Sequence, residues 1–138
     1  MASLYPNTGT MKICTLMQTG LATSKMRLFK DGLITLTPLT TLAELVAAEC
    51  DYTGYTAGGQ AITAWNAPLL QAGGGAGITS PTIQFAAGTP YTVGNVVGGG
   101  WIEDTGGVLW FAWKFDSAVP IGASGQGVPV SVTLIQRN

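Results

Sequence analysis

The sequence predicts a mainly β fold, an antiparallel β-sandwich or flattened barrel with one or two short helices. Three observations point there. From Tyr52 onward, helical periodicity gives way to short runs of β-branched and aromatic residues parted by glycine clusters, the pattern of sandwiches and barrels. Segment 128–136 alternates, Val128, Val130, Val132 and Leu134 against Pro129, Ser131 and Thr133, as in a strand with one buried face. Finally, Asp104-Thr105-Gly106-Gly107 links two apolar segments with the residues of a hairpin turn, the glycines supplying positive φ angles.

The elements follow in chain order. Residues 10–20 place Ile13, Cys14, Leu16 and Met17 at helical spacing, so a short helix is expected with Thr10 as N-cap and Gly20 as the left-handed residue after its end. Residues 25–29 alternate, predicting a strand with Met26 and Leu28 inward and Lys25 and Arg27 toward water. Asp31-Gly32 reads as a turn, and Pro38 closes the loop after it. Thr41-Leu42-Ala43-Glu44 has the spacing of a capping box, in which hydroxyl and carboxylate each satisfy the other residue's amide. A helix of about 42–49 follows from it.

Further strands are expected at 61–65, 82–85, 95–103 and 108–115. In the last, Phe111, Trp113 and Phe115 share a face as the expected core anchor, while Trp110 points to the other side. Gly98-Gly99-Gly100 reads as a strand bend where backbone or an aromatic ring comes close. Gly73 to Gly77 reads as an exposed loop. These elements suggest an N-terminal arm and helix over 1–22 and a single β-rich domain over 23–138.

Composition excludes several function classes. Of 138 residues, 46% are hydrophobic and 9% charged, with 20 glycines, no histidine and a net charge of −1. About 25% charged is usual. A nearly neutral chain has no basic field for phosphates, which argues against nucleic acid and against anionic membrane surfaces. A mean hydropathy of +0.34 is the reverse of a disordered composition. No apolar run is long enough to span a bilayer, and Lys12 interrupts the apolar residues near the start, so no secretory leader and synthesis in a cytoplasm are expected. Cys14 and Cys50 match no metal or redox spacing and are expected to be buried thiols.

Without histidine, the usual general base, the Ser-His-Asp and Cys-His arrangements and most catalytic zinc sites are missing. Among the seven acidic residues, Asp31 and Asp104 belong to turns and Glu44 to a cap. The acid pair left open is Glu49 or Asp51 opposite Glu103, since glycoside hydrolysis needs two facing carboxyls. Neither glycine cluster precedes Lys-Ser/Thr, so no phosphate loop is expected, and no metal or other cofactor is. Tyr52, Tyr55, Trp65 and Tyr91 are candidate sugar-stacking rings, weighed against a plain core role.

The order of short motifs resembles a group of small tailed-phage virion proteins. The chain opens Leu4-Tyr5-Pro6-Asn7-Thr8-Gly9 and continues through Met26-Arg27-Leu28-Phe29-Lys30-Asp31-Gly32 and Thr41-Leu42-Ala43-Glu44. Cys50-Asp51-Tyr52-Thr53-Gly54-Tyr55 and Val108-Leu109-Trp110-Phe111-Ala112-Trp113-Lys114-Phe115 complete it. Lys114 stands near where the group commonly has an acidic residue, and Asp31-Gly32 replaces paired asparagines. The resemblance implies a non-enzymatic virion structural protein, foremost a capsid decoration or cement protein on the capsid exterior. It would contact the major capsid protein and copies of itself, with a trimer as the expected number. A tail, baseplate or fibre module that binds host glycan is the alternative. Low charge fits such burial, because ionised groups desolvated at contacts are unfavourable. The expected partner contacts are Tyr5, Pro6, Asn7 and Thr8 and the loop residues Gly73, Gly74 and Gly75, chosen for expected exposure.

Overall fold

Strand outweighs helix in the computed structural model, 40% to 15%, which gives the mainly β class expected from the sequence. Residues 7–137 are described. They divide into two compact units, one of 7–23, 62–82 and 131–137, the other of 24–61 and 83–130. The division differs from the expected arm followed by a single domain, because the N-terminal helix is an integral layer of the first unit.

In that first unit, α1 (Asn7–Gly20) packs on β4 (Ala76–Thr79) and also touches β3 (Leu69–Leu70) and β9 (Thr133–Gln136). The three strands form an antiparallel sheet ordered β3-β4-β9. The helix buries Thr10 and Cys14, while Leu16 is exposed. It starts three residues before the expected cap, so Thr10 lies in its first turn and donates its hydroxyl to the Asn7 carbonyl at 2.9 Å. Gly20 keeps a negative φ, and the helix closes instead through the Leu21 amide on the Met17 carbonyl at 2.9 Å.

The second unit holds an antiparallel sheet built around β1 (Ser24–Lys30), β6 (Asn95–Asp104) and β7 (Leu109–Ile121), with β2 (Gln60–Ile62) completing the order β2-β1-β6-β7. The chain leaves the unit within β2, at Ile62. The same unit contains the pair β5 (Ile83–Ala86) and β8 (Gly127–Val130) and the short helix α2 (Leu42–Ala47). The expected continuous strand 128–136 is therefore two strands in different sheets. Its break at Ser131-Val132 is held by Ser80, whose hydroxyl accepts from the Val132 amide and whose carbonyl accepts from the Ser131 hydroxyl, both at 3.0 Å.

Register explains the core of the second unit. Arg27, Trp101 and Ala112 form one cross-strand row; Met26, Ile102 and Phe111 form another on the opposite face. On the first face, Phe29, Leu45, Ala48 and Trp101 make a buried cluster, with Ile34, Leu36, Leu42, Leu109 and Ala112 packed against it. On the other, Met26, Leu28 and Ile102 are fully buried. Trp101 is the deep aromatic anchor; Phe111, Trp113 and Phe115 are only half-buried. Gly100 leaves the space a side chain would need to Trp113, whose Cζ2 lies 2.7 Å from where a Cβ would stand. The Phe29 ring crowds Gly99 in the same way, its Cζ 2.6 Å from such a Cβ. The glycine run of β6 is thus a seat for two rings, as expected.

Candidate functional site

The second unit carries a groove of about 680 Å³ between the 36–42 segment and the start of β7. One wall begins with local hydrogen bonding. The Thr37 amide donates to the Thr40 hydroxyl at 2.8 Å and the Leu39 amide to the Thr37 hydroxyl at 3.2 Å, a hydroxyl-bonded turn. That turn thrusts Leu39 outward, where it is 87% exposed. The capping box then starts α2 as expected: the Thr41 amide donates to Glu44 Oε2 at 2.7 Å, and the Glu44 amide to the Thr41 hydroxyl at 3.3 Å. The Thr41 amide and the Thr41 hydroxyl, which also donates to Oε2 at 2.9 Å, hold the Glu44 carboxyl below its usual range.

The facing wall is β7. Leu109, Trp110, Phe111 and Ala112 all line the groove. The register with β6 shifts here, Phe111 pairing Ile102 and Leu109 pairing Glu103, so Trp110 is a bulge residue and both Leu109 and Ala112 pack toward the Phe29–Trp101 cluster. β7 is terminal in its sheet, and among the described residues no other strand pairs with its outer side. The 104–107 turn secures this end. Asp104 Oδ1 accepts from the Gly106 amide at 2.9 Å and the Val108 amide at 3.0 Å, and Oδ2 accepts from the Trp110 indole at 3.0 Å. The indole and amide bonds hold the Asp104 carboxyl below its usual range. Gly107 alone supplies the positive φ, +81°; Gly106 does not.

No lining residue of the groove is charged. It therefore offers main-chain groups, hydroxyls and apolar side chains, the chemistry of protein–protein contact. Val108 beside it, and Leu33, Val46, Val93 and Val96 elsewhere in the unit, are exposed large apolar residues.

The acidic residues have other work. Arg27, expected in water, is drawn between Glu49 and Glu103: Nε donates to Glu49 Oε1 at 3.0 Å, Nη2 to Glu49 Oε2 at 2.5 Å and Nη1 to Glu103 Oε1 at 2.8 Å. The Trp101 indole donates to Glu103 Oε2 at 3.0 Å, and the Tyr55 hydroxyl and Gly58 amide donate to Glu49 Oε1 at 2.9 and 3.1 Å. Burial by itself lowers the Arg27 pKa, but its bonds to Glu49 and Glu103 dominate and raise it. The carboxyl pair left open by the sequence is thus brought together around an arginine that occupies the space between, a clamp joining β1, β6 and the segment after α2. Asp51 is held by Lys30 Nζ at 2.8 Å and the Asn95 side chain at 2.9 Å, which keep its pKa below the usual range.

The candidate sugar-stacking rings are core and scaffold. Tyr52 and Trp65 are buried; the Tyr52 hydroxyl donates to the Phe85 carbonyl at 3.0 Å and the Trp65 indole to the Leu21 carbonyl at 3.2 Å. Tyr55 is half-buried beside Phe85, ring centres 6.1 Å apart, and the half-buried Tyr91 hydroxyl donates to the Ile121 carbonyl. Cys14 and Cys50 are buried free thiols, and burial pushes the Cys50 thiol up to about 12. Among the described residues, no group of three potential metal ligands exists, and no helix is long and apolar enough to cross a membrane.

The contact residues expected from exposure fare unevenly. Tyr5 and Pro6 lie outside the described residues. Asn7 and Thr8 are exposed at the start of α1. Gly73 is exposed, but Gly74 is half-buried and Gly75 is buried against β9. A Cβ on Gly75 would run into the Gln136 carbonyl and come within 2.9 Å of Arg137 Cα. The glycines form the tight β3–β4 turn, and Ala76 and Gly77 continue into a buried strand rather than an exposed loop.

The groove itself was not visible in sequence, since its walls lie far apart along the chain. Its signals were the exposed Leu39 beside the capping box and the uncharged Leu109-Trp110-Phe111-Ala112 run. No protein-family model, curated protein or solved structure matches the chain.

Proposed function

We propose that this chain is a non-enzymatic structural subunit of a tailed-phage virion, a decoration or cement protein that adds contact area to a capsid shell. One observation carries the reading. A surface this poor in ionised groups, 9% of the chain, also presents ten large apolar side chains to solvent among the described residues. Isolated soluble domains usually keep charge to remain apart, whereas a subunit covered by neighbours loses that need.

The proposed mechanism is additive. A standard protein–protein contact buries on the order of 1,600 Å², and repetition around a shell turns modest single affinities into strong retention. The uncharged groove and the exposed start of α1 are the surfaces offered for contact with the major capsid protein and with further copies of the chain. The saturated bonding of Glu49 and Glu103 around Arg27 is in keeping with a scaffold role for the acidic residues.

The test is release. Particles carrying the chain should lose it on mild chaotrope treatment, become more heat-sensitive, and regain resistance when purified protein is added back. Particles whose heat resistance is the same with and without the chain would contradict the reading.

A further inference from the structure

We infer that the free edge of β7 pairs antiparallel with the same edge of a second copy, joining two four-stranded sheets into one eight-stranded sheet across a two-fold axis at Ala112. This rests on the strand edge and deepens the proposed structural role by naming the self-contact.

Uncovered edge strands are templates for further pairing, and proteins blunt them with short length, central charges, prolines or bulges. The stretch of β7 from Phe111 to Trp113 carries no charge and no proline, and it is regularly paired on its inner side, from Phe111 opposite Ile102 through Lys114 opposite Gly99. Before it the register shifts between Ile102 and Glu103, which pairs with Leu109, so Trp110 is a bulge residue. The register then slips between Val97 and Gly99 of β6, across residues 115–118 of β7, a bulge that ends the usable edge. What remains open is a four-residue strand face, Phe111 to Lys114, between two bulges and beside an uncharged groove.

The occupant is a second copy because the edge matches itself. A two-fold at Ala112 sets the smallest side chain of the run against its twin, where bulk would clash. Phe111 then lies opposite Trp113 of the second copy and Trp113 opposite its Phe111, two aromatic cross-strand pairs of the kind that stabilise sheets. Lys114 comes beside the bulged Trp110 of the second copy, whose indole donates to the Asp104 carboxylate at 3.0 Å. Each copy thereby brings a lysine to an aromatic face with an anion attached, twice by symmetry. In the single chain Lys114 has a loose partner, Asp31, at 3.7 Å, so it is available for that contact. An isologous contact of this kind closes at two copies, in place of the trimer expected from the sequence.

The experiment is sedimentation of the full chain across the micromolar range, together with mild oxidation of Ala112→Cys. Directly opposed residues of an antiparallel pair have Cα atoms about 4.5–5.5 Å apart, within disulfide reach. The expected results are a dimer, a covalent dimer from Ala112→Cys, and none from Ser117→Cys in the bulge or from wild type with its buried thiols. Lys114→Glu, at an exposed position, should weaken the dimer by about tenfold while leaving the fold intact by circular dichroism. A chain that stays monomeric throughout overturns the inference, as does a dimer indifferent to Lys114→Glu that fails to cross-link at 112. Either failure leaves the virion reading standing, because that reading is tested on particles.

Discussion

Replacing Arg27 with alanine removes the cation bonded to both Glu49 and Glu103 and leaves the two carboxylates without it. The side chains of Arg27, Glu49 and Glu103 retain 11%, 13% and 11% of their exposure. That decides the magnitude. An exposed ion pair is worth about 0–1 kcal/mol, whereas removing one partner of a buried pair costs about 3–5 kcal/mol because the remaining charge is stranded. The guanidinium also lies 5.0 Å above the Trp101 ring, a contact of about 0.5–1 kcal/mol. With a denaturant slope of about 2 kcal/mol per molar urea, a loss of about 4 kcal/mol moves the unfolding midpoint by about 2 M. Tryptophan fluorescence during a urea titration at neutral pH reads this directly. A control sharpens it. Arg27→Met with Glu49→Gln and Glu103→Gln should recover most of the stability, because no charge is then left stranded. A midpoint shift below about 0.5 M, equivalent to about 1 kcal/mol, refutes the buried clamp.

Further outcomes follow from the same structure. Gly100→Ala puts a Cβ 2.7 Å from Trp113 Cζ2 and 2.6 Å from the Arg27 carbonyl oxygen and should cost about 1–3 kcal/mol by overpacking; Gly122→Ala, with nothing within 4 Å, should be neutral or slightly stabilising in the same thermal melt. Thr41→Ala removes the cap of α2 and should cost about 1 kcal/mol, lowering Tm by a few degrees. The gap from wild type should narrow in acid: the depressed Glu44 pKa means its stabilisation is present above its unfolded value and lost as pH falls through its folded one. Cys50, raised to about 12 by burial, should resist a thiol reagent in the native state, and its contribution to stability should be complete below about pH 8.5, its unfolded value, and lost between there and 12. Rapid labelling of native protein at pH 8 would contradict that burial.

Local signals carried the parts of the fold that local chemistry decides. The Thr41–Glu44 box, the Asp31-Gly32 turn, the 104–107 hairpin and the glycine seat at 98–100 each depend on residues within a few positions or on one close ring. What escaped depends on distant partners. Arg27 alternates with Met26 and Leu28 as a solvent-facing residue would, and only its neighbours Glu49 and Glu103 draw it inward. The alternation of 128–136 runs unbroken through Val130 and Val132, so nothing in it marks the change of sheet that Ser80 imposes. β4 hides in a glycine-rich stretch with Ile78 as its one large apolar residue, and its burial comes from pairing with β9 and the cover of α1. The groove is likewise a product of fold, made where the exposed 36–42 turn meets the edge of β7.

The most direct measurement is to image and count this chain on purified virions. Many copies arrayed over the outer shell between major capsid subunits are the predicted result. Particles that lack the polypeptide, or bear it at the tail tip alone, would contradict the decoration role.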